Sequence, residues 1–441
     1  MTESPGPSTK RTRVDGPEIA PGRRGLPGGP GRMLGLGLVG LWLGLFAASV
    51  YQDRLAFGGS TWVPSLPSLG VDFKLAIDHV ARVEALGFNP YLMLGDKQCR
   101  TYPYPPMLTR WFRWVTWTDK MTASVAWQGA LTLFAGLGSI AAWRIRARLG
   151  LDRVAWPLIL AGVLFSTPFV FAVERGQCDP MIVPMMLVAA WLLGRRGSWP
   201  LILAGALLGL TAWIKYYPGL AVVALLTPGR RKALAGFVAV VAAIGLVDRV
   251  DLLRSIENGR GLRDQMLDVA RGVHPTSHSL AEGWKVSGWV RGSAVLSRIP
   301  ASVPAAVLIV PALVLVGRRV AGAKDPGALA FPHLLWLACA GTFALPYSND
   351  YNLATLPIAL LATWDRRDRA AVQGALAVGL LWLQPVWLPI PGGWLIFAKL
   401  GGLYAVGACL GARASAGGGR PLPIMQGRPA FVSLRRVRTS G

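Results

Sequence analysis

Residues 199–228 read WPLILAGALLGLTAWIKYYPGLAVVALLTP, two apolar runs on either side of Lys215-Tyr216-Tyr217-Pro218. Taken as one long helix, this stretch crosses a bilayer once. Taken as two short spans joined near Lys215, it crosses and returns. The second run is short for a crossing unless the bilayer thins or the chain tilts. Charge decides between the readings, because a single helix would invert everything downstream and send the later Arg pairs to the outer side.

Apolar runs recur on both sides of this stretch. They cover about 33–50, 121–143, 154–173, 180–194, 199–215, 217–228, 233–248, 301–317, 329–346, 351–363, 370–388 and 394–412, which makes twelve. Crossing a hydrocarbon core takes about 20 residues of helix. Five connections on one side are basic: Arg144, Arg146, Arg148 and Arg153; Arg195 and Arg196; Arg230, Arg231 and Lys232; Arg318, Arg319 and Lys324; Arg366, Arg367 and Arg369. With two spans at 199–228, all five fall on the cytoplasmic side, together with both termini. The expected fold is an all-α polytopic membrane protein of about 12 transmembrane helices.

Composition agrees. The 441 residues are 53% hydrophobic and only 15% charged, with a mean hydropathy of +0.43. A soluble chain carries about a quarter charged residues, so that class is excluded. The net charge of +24 reads as Arg-rich loops facing anionic headgroups. No basic-aromatic module supports a nucleic-acid partner. Residues 1–32 and 413–441 read as basic cytoplasmic tails, the first disordered, and residues 33–412 as the membrane domain. A cleaved signal peptide fits the start poorly, since its polar region and apolar run are both long.

The outer connections hold the chemistry. They are 51–120, 174–180, 215–218, a long loop 249–300, and 346–352. In the first, Phe73, Leu75, Ile77, Val80 and Val83 alternate with Asp78, His79, Arg82 and Glu84, a pattern suited to a short helix lying in the interface. Trp111, Trp114 and Trp117 suit headgroup anchoring. Asp72 is a carboxylate near the membrane surface. It is either a proton acceptor for group transfer to a hydroxyl or a helix cap. Lys215 and Arg175 are cations at outer helix ends, fit to hold a phosphate or to snorkel; Arg175 also has Glu174 and Asp179 for local pairing. His274 and His278 have the i, i+4 spacing of a zinc pair, but Pro275 intervenes and no third ligand stands near, so His278 suits a phosphate or hydroxyl better. Tyr102, Tyr104, Pro105 and Pro106 form a rigid aromatic turn. The four cysteines show no metal spacing. Free thiols are expected, with a Cys99–Cys178 disulfide as the alternative. The absence of a phosphate-binding G-x-x-x-x-G-K-[ST] loop argues against ATP-driven transport by this chain alone.

In their order along the chain these motifs resemble the polyprenol-phosphate-sugar-dependent glycosyltransferases of the GT-C class, more narrowly glycosyltransferase family 87. The matching features are Asp72 after the first helix, Tyr104-Pro105-Pro106 before the second, Gly176-Gln177-x-Asp179, and Lys215-x-Tyr217-Pro218. Ser277-His278-Ser279-Leu280 and the Pro346–Asp350 segment match more weakly. The resemblance covers residues 33 to 365. It implies inverting sugar transfer outside the cytoplasmic membrane of a bacterium, from a polyprenyl-phosphate donor to a lipid or glycan acceptor, with no cofactor or metal. Asp72 would be the general base. Lys215, Arg175 and His278 would hold the donor phosphate, and Tyr104, Gln177, Asp179 and Asp350 would shape the sugar and acceptor site. The late segment departs from the family pattern, which often has a histidine where Asn349 or Asp350 stands here. A transporter or flippase of lipid-linked sugars is the alternative, and it predicts charges at mid-membrane depth. A non-catalytic scaffold is a further one.

Overall fold

The computed structural model describes residues 29–52, 69–93, 96, 99, 102–258, 279–280, 284, 293–300, 302–345, 350–365, 371–382 and 392–415. Both tails beyond 29–415, along with His274 and His278, lie outside the described residues. The chain is all-helical, with no strand among the described residues.

The twelve apolar runs do not map onto twelve long helices. Among the described residues, three helices are long and apolar enough to cross a membrane alone: Pro30–Tyr51, Lys120–Arg148 and Val303–Ala321. Two bent pairs raise the number to five. Trp156–Leu164 and Thr167–Arg175 meet at 60°, and Arg231–Val247 and Arg249–Asn258 at 88°. The rest of the bundle is built from shorter pieces, which is affordable only where neighbouring segments, not lipid, surround the helix breaks.

The stretch 199–228 is two segments. We number the helices it involves α8 (Ser198–Thr211) and α9 (Arg231–Val247), with a 3-10 segment Tyr217–Leu225 between them. Lys232 donates to Ser198, Gly209 faces Val240, and Gly245 faces Trp213. Partner numbers rise together, so α8 and α9 run parallel and the chain between them must return. The two helices touch backbone to backbone. A Cβ on Gly205 would stand 1.7 Å from the Ala233 carbonyl oxygen, and one on Gly236 2.2 Å from that of Ile202. Small residues permit such approach, and in lipid it is dispersion across it that holds helices together.

At the centre stands α12 (Pro326–Thr342), buried all round from Ala328 to Thr342. A helix apolar on every face belongs inside. Its Trp336 indole donates to the Leu403 carbonyl at 2.8 Å. The periphery is apolar toward the outside instead, as with Leu41 and Leu43 on α1 (Pro30–Gln52).

The outer segment expected in the interface packs into the protein. Asp72 leads into one π-helical turn, Phe73–Ile77, and then α2 (Asp78–Ala85). Phe73, Ile77, Val80 and Val83 are buried, and Phe73 lies 6.0 Å from the Trp127 ring and 5.7 Å from Phe112. Periodicity identified a buried face, but protein covers it and not lipid. Arg82 fixes the helix, pairing with Asp78 at 3.0 Å and donating to the Val115 and Thr118 carbonyls at 2.7 Å each. Trp111 and Trp114 pack against the core, while Trp117 is 85% exposed. All four cysteines are free and buried, so Cys99 and Cys178 are not bonded.

Candidate active site

Two glycines bring the site together. Gly176, with φ +68, closes α6 (Thr167–Arg175) in the left-handed conformation that glycine adopts without strain. A Cβ there would meet the Phe73 Cβ at 2.7 Å and the Gly70 Cα at 3.1 Å. Gly70 donates its N–H to the Glu174 carbonyl at 2.8 Å, and the Gly176 carbonyl accepts from the Trp127 indole at 3.0 Å. This backbone junction sets Arg175 and Gln177 against Asp72.

Arg175 grips Asp72 bidentately, Nε to Oδ2 and Nη2 to Oδ1, both at 2.7 Å. The fork geometry fixes the carboxylate plane. The partner expected from local sequence was Glu174 or Asp179; the one with this fork geometry lies 103 residues earlier. Gln177 donates its amide to Asp72 Oδ2. The Gln177 oxygen accepts from the Tyr104 hydroxyl at 3.0 Å and from Lys215 Nζ at 2.9 Å. An ammonium only donates, so Lys215 fixes which way that amide faces. Burial pushes the Tyr104 phenol well above its ordinary value, which keeps it a neutral donor.

Lys215 reaches on to Asp179 Oδ2 at 2.7 Å. The other Asp179 oxygen accepts from the Tyr217 hydroxyl and from Asn352 Nδ2, the latter at 2.6 Å. The Lys215 ammonium also lies 5.3 Å from the Tyr104 ring and 4.9 Å from Tyr351, within cation–π range. Every oxygen of this buried pair is satisfied, the condition under which such a pair is tolerable. Lys215 occupies the break after α8, and Asp179 opens the 3-10 turn ahead of α7 (Ile182–Leu193).

The network has a dry end and a wet end. The Asp179 side chain is wholly buried and Lys215 is 10% exposed. Asp72 is 19% and Arg175 16% exposed. Two carboxylates and two cations thus form a line, with Asp72 and Arg175 at the accessible end.

Of the residues singled out from sequence, Asp72, Tyr104, Arg175, Gln177, Asp179 and Lys215 share this one network. Asp350 opens the 3-10 turn Asp350–Leu353, two residues before Asn352. His278 lies outside the described residues. Its neighbours Ser279 and Leu280 bond to the carbonyls of Leu345 (2.6 Å) and Phe343 (3.0 Å) just beyond α12. Asn352, Tyr351 and Trp127 were not assigned to the site from sequence. Asn352 and Tyr351 stood inside the polar segment 346–352, which was the available signal.

Fold and site together define a membrane-embedded helical protein with a polar, charge-balanced site at one end of its bundle. The chain belongs to glycosyltransferase family 87, whose family model matches residues 102–346, more than half of its length. It is a membrane glycosyltransferase. The match is narrower than the motif resemblance. It encloses Tyr104, Arg175, Gln177, Asp179, Lys215 and His278, and leaves Asp72, Asp350 and Asn352 outside. No curated protein and no solved structure matches the chain.

Proposed function

We propose that this glycosyltransferase moves a sugar of the mannose or arabinofuranose class from a polyprenyl-phosphate donor to a cell-envelope glycolipid or glycan. Transfer takes place on the outer face of a bacterial cytoplasmic membrane and inverts the anomeric centre. The observation that carries the reading is Asp72: a carboxylate fixed by Arg175 and Gln177 at the accessible end of the network.

The acceptor hydroxyl approaches Asp72 and its oxygen attacks the anomeric carbon. The bond from that carbon to the lipid phosphate oxygen breaks, and the hydroxyl proton passes to Asp72. At that moment Asp72 loses its negative charge and the departing phosphate gains one. Protonation of Asp72 removes the counter-charge it gave Arg175, whose guanidinium then balances the new charge on the phosphate, so the net charge of the site is unchanged as charge moves through it. Lys215 forms the inner wall, adding positive potential behind the phosphate while held by Gln177 and Asp179. His278 is proposed as a further ligand of the donor phosphate. Tyr104, Gln177, Asp179 and Asp350 shape the sugar and acceptor side.

The test is transfer from radiolabelled polyprenyl-phosphate sugars in membranes holding wild type or Asp72→Asn at equal expression. The variant keeps the shape and removes the base, so the rate falls by roughly two to four orders of magnitude. Equal rates would show that Asp72 is not the base. Absence of transfer in both, across the sugars supplied, would overturn the donor class.

A further inference from the structure

A second cluster of ligating side chains lies beside the sugar site and takes no part in it. His79 on α2, Asp96 and Cys99 place an imidazole nitrogen, a carboxylate oxygen and a thiol sulfur within 4.8 Å of one another. His79 Nε2 is 2.8 Å from Asp96 Oδ2, and Asp96 Oδ1 accepts the Cys99 N–H at 3.2 Å. We propose that these three residues form a transition-metal site, suited to Zn2+, that ties the Asp72 segment to the Tyr102–Tyr104 strap.

The ligand chemistry selects the metal class. Nitrogen, sulfur and one carboxylate oxygen are the donors Zn2+ takes, at bonds of roughly 2.0–2.3 Å. In a tetrahedron those bonds separate ligand atoms by roughly 3.3–3.8 Å, so the cluster needs only sub-ångström to ångström adjustments. The His79–Asp96 contact, at 2.8 Å, lengthens to reach that spacing. A thiolate and a carboxylate together neutralise a divalent cation. The Cys99 side chain is buried, while His79 and Asp96 are 31% and 23% exposed. A fourth position therefore faces solvent and takes water. A metal takes the thiolate, so cation binding displaces the Cys99 proton.

The position gives the site its use. His79 follows Asp72 by seven residues across the π-turn, and Cys99 precedes Tyr102 by three. The Cys99 carbonyl accepts from the Tyr102 N–H at 3.2 Å, and Asn258 donates to the carbonyls of both Cys99 and Tyr102, at 3.3 and 3.2 Å. Tyr102 packs on Tyr104 with ring centroids 5.1 Å apart, and Tyr104 holds Gln177. A metal here fixes the spacing between the base and the wall of the sugar site while remaining outside the transfer step.

The experiment uses the full-length protein in detergent, stripped with a chelator and titrated with Co2+. The expected result is one Co2+ per chain, with a near-ultraviolet thiolate-to-cobalt charge-transfer band and visible tetrahedral bands, all displaced by Zn2+. Cys99→Ser removes the charge-transfer band, and His79→Gln weakens binding by at least about tenfold, with unchanged elution on gel filtration. No band in the wild type would overturn the site. A band that persists in Cys99→Ser would do so as well, by assigning the sulfur to Cys178, Cys339 or Cys409.

Discussion

The two ends of the 29-residue helix α4 (Lys120–Arg148), about 43 Å apart, use arginine in different ways. At the far end, Arg146 is buried, ion-paired with the Asp152 carboxylate, and also donates to the backbone carbonyls of Leu361 (2.8 Å), Trp364 (2.6 Å) and Asp152 (3.1 Å). Beside it Arg148 pairs with Asp325, which also caps α12 through the Ala328 N–H at 3.0 Å. At the near end, Arg175 binds a carboxylate that solvent reaches. A guanidinium that binds three carbonyls besides its acid keeps partners that no proton can remove. One paired with an ionised acid loses its counter-charge as soon as that acid takes a proton. The same residue type is thus a many-partnered staple at one end and, in the proposed mechanism, a charge reservoir at the other.

That contrast breaks or sharpens at five positions, apart from Asp72. Lys215→Met leaves Asp179 buried without its cation, and the variant should lose about 3–5 kcal/mol and its transfer activity. The double variant Lys215→Met, Asp179→Asn should regain most of that stability in a detergent melt while staying inactive. Recovery of activity would mean the pair serves structure alone. Gly176→Ala imposes a left-handed conformation and a Cβ against Phe73, which together cost about 1–3 kcal/mol. Its transfer rate per folded molecule should also fall, since the Arg175–Asp72 fork moves with the junction. Arg146→Met leaves Asp152 without its cation, strands the Leu361 and Trp364 carbonyls, and should cost about 3 kcal/mol, with the rate per folded molecule unchanged. A lower rate there would show that the two ends are coupled. Arg148→Ala removes a pair about a third exposed and should cost under about 1 kcal/mol, read in the same melt.

Much of this was written in the chain. The basic loops identified which ends of the segments belong together, and the polar connections expected to lie outside supplied six residues of one network. Reading 199–228 as out and back agrees with the parallel course of α8 and α9. Three things could not be read. Run length did not give helix length, because breaks such as 212–216 are stabilised by neighbours that the local sequence does not name. The apolar face of Phe73, Ile77 and Val80 showed that something covers it, and only packing reveals that Phe112 and Trp127 do. Arg175 stood beside two acids and bound a third, since bidentate geometry and the Gly70–Gly176 junction outweigh proximity along the chain.

The convergence on Asp179 also sets a schedule. Its donors arrive from residues 215, 217 and 352. Synthesis runs at about 5–20 residues per second, so the 137 residues between Lys215 and Asn352 take about 7–27 s. For that interval Asn352 is not yet made, and the Asp179 carboxylate cannot receive its hydrogen bond. A chain that stops short of residue 352 carries a buried acid whose set of donors is incomplete.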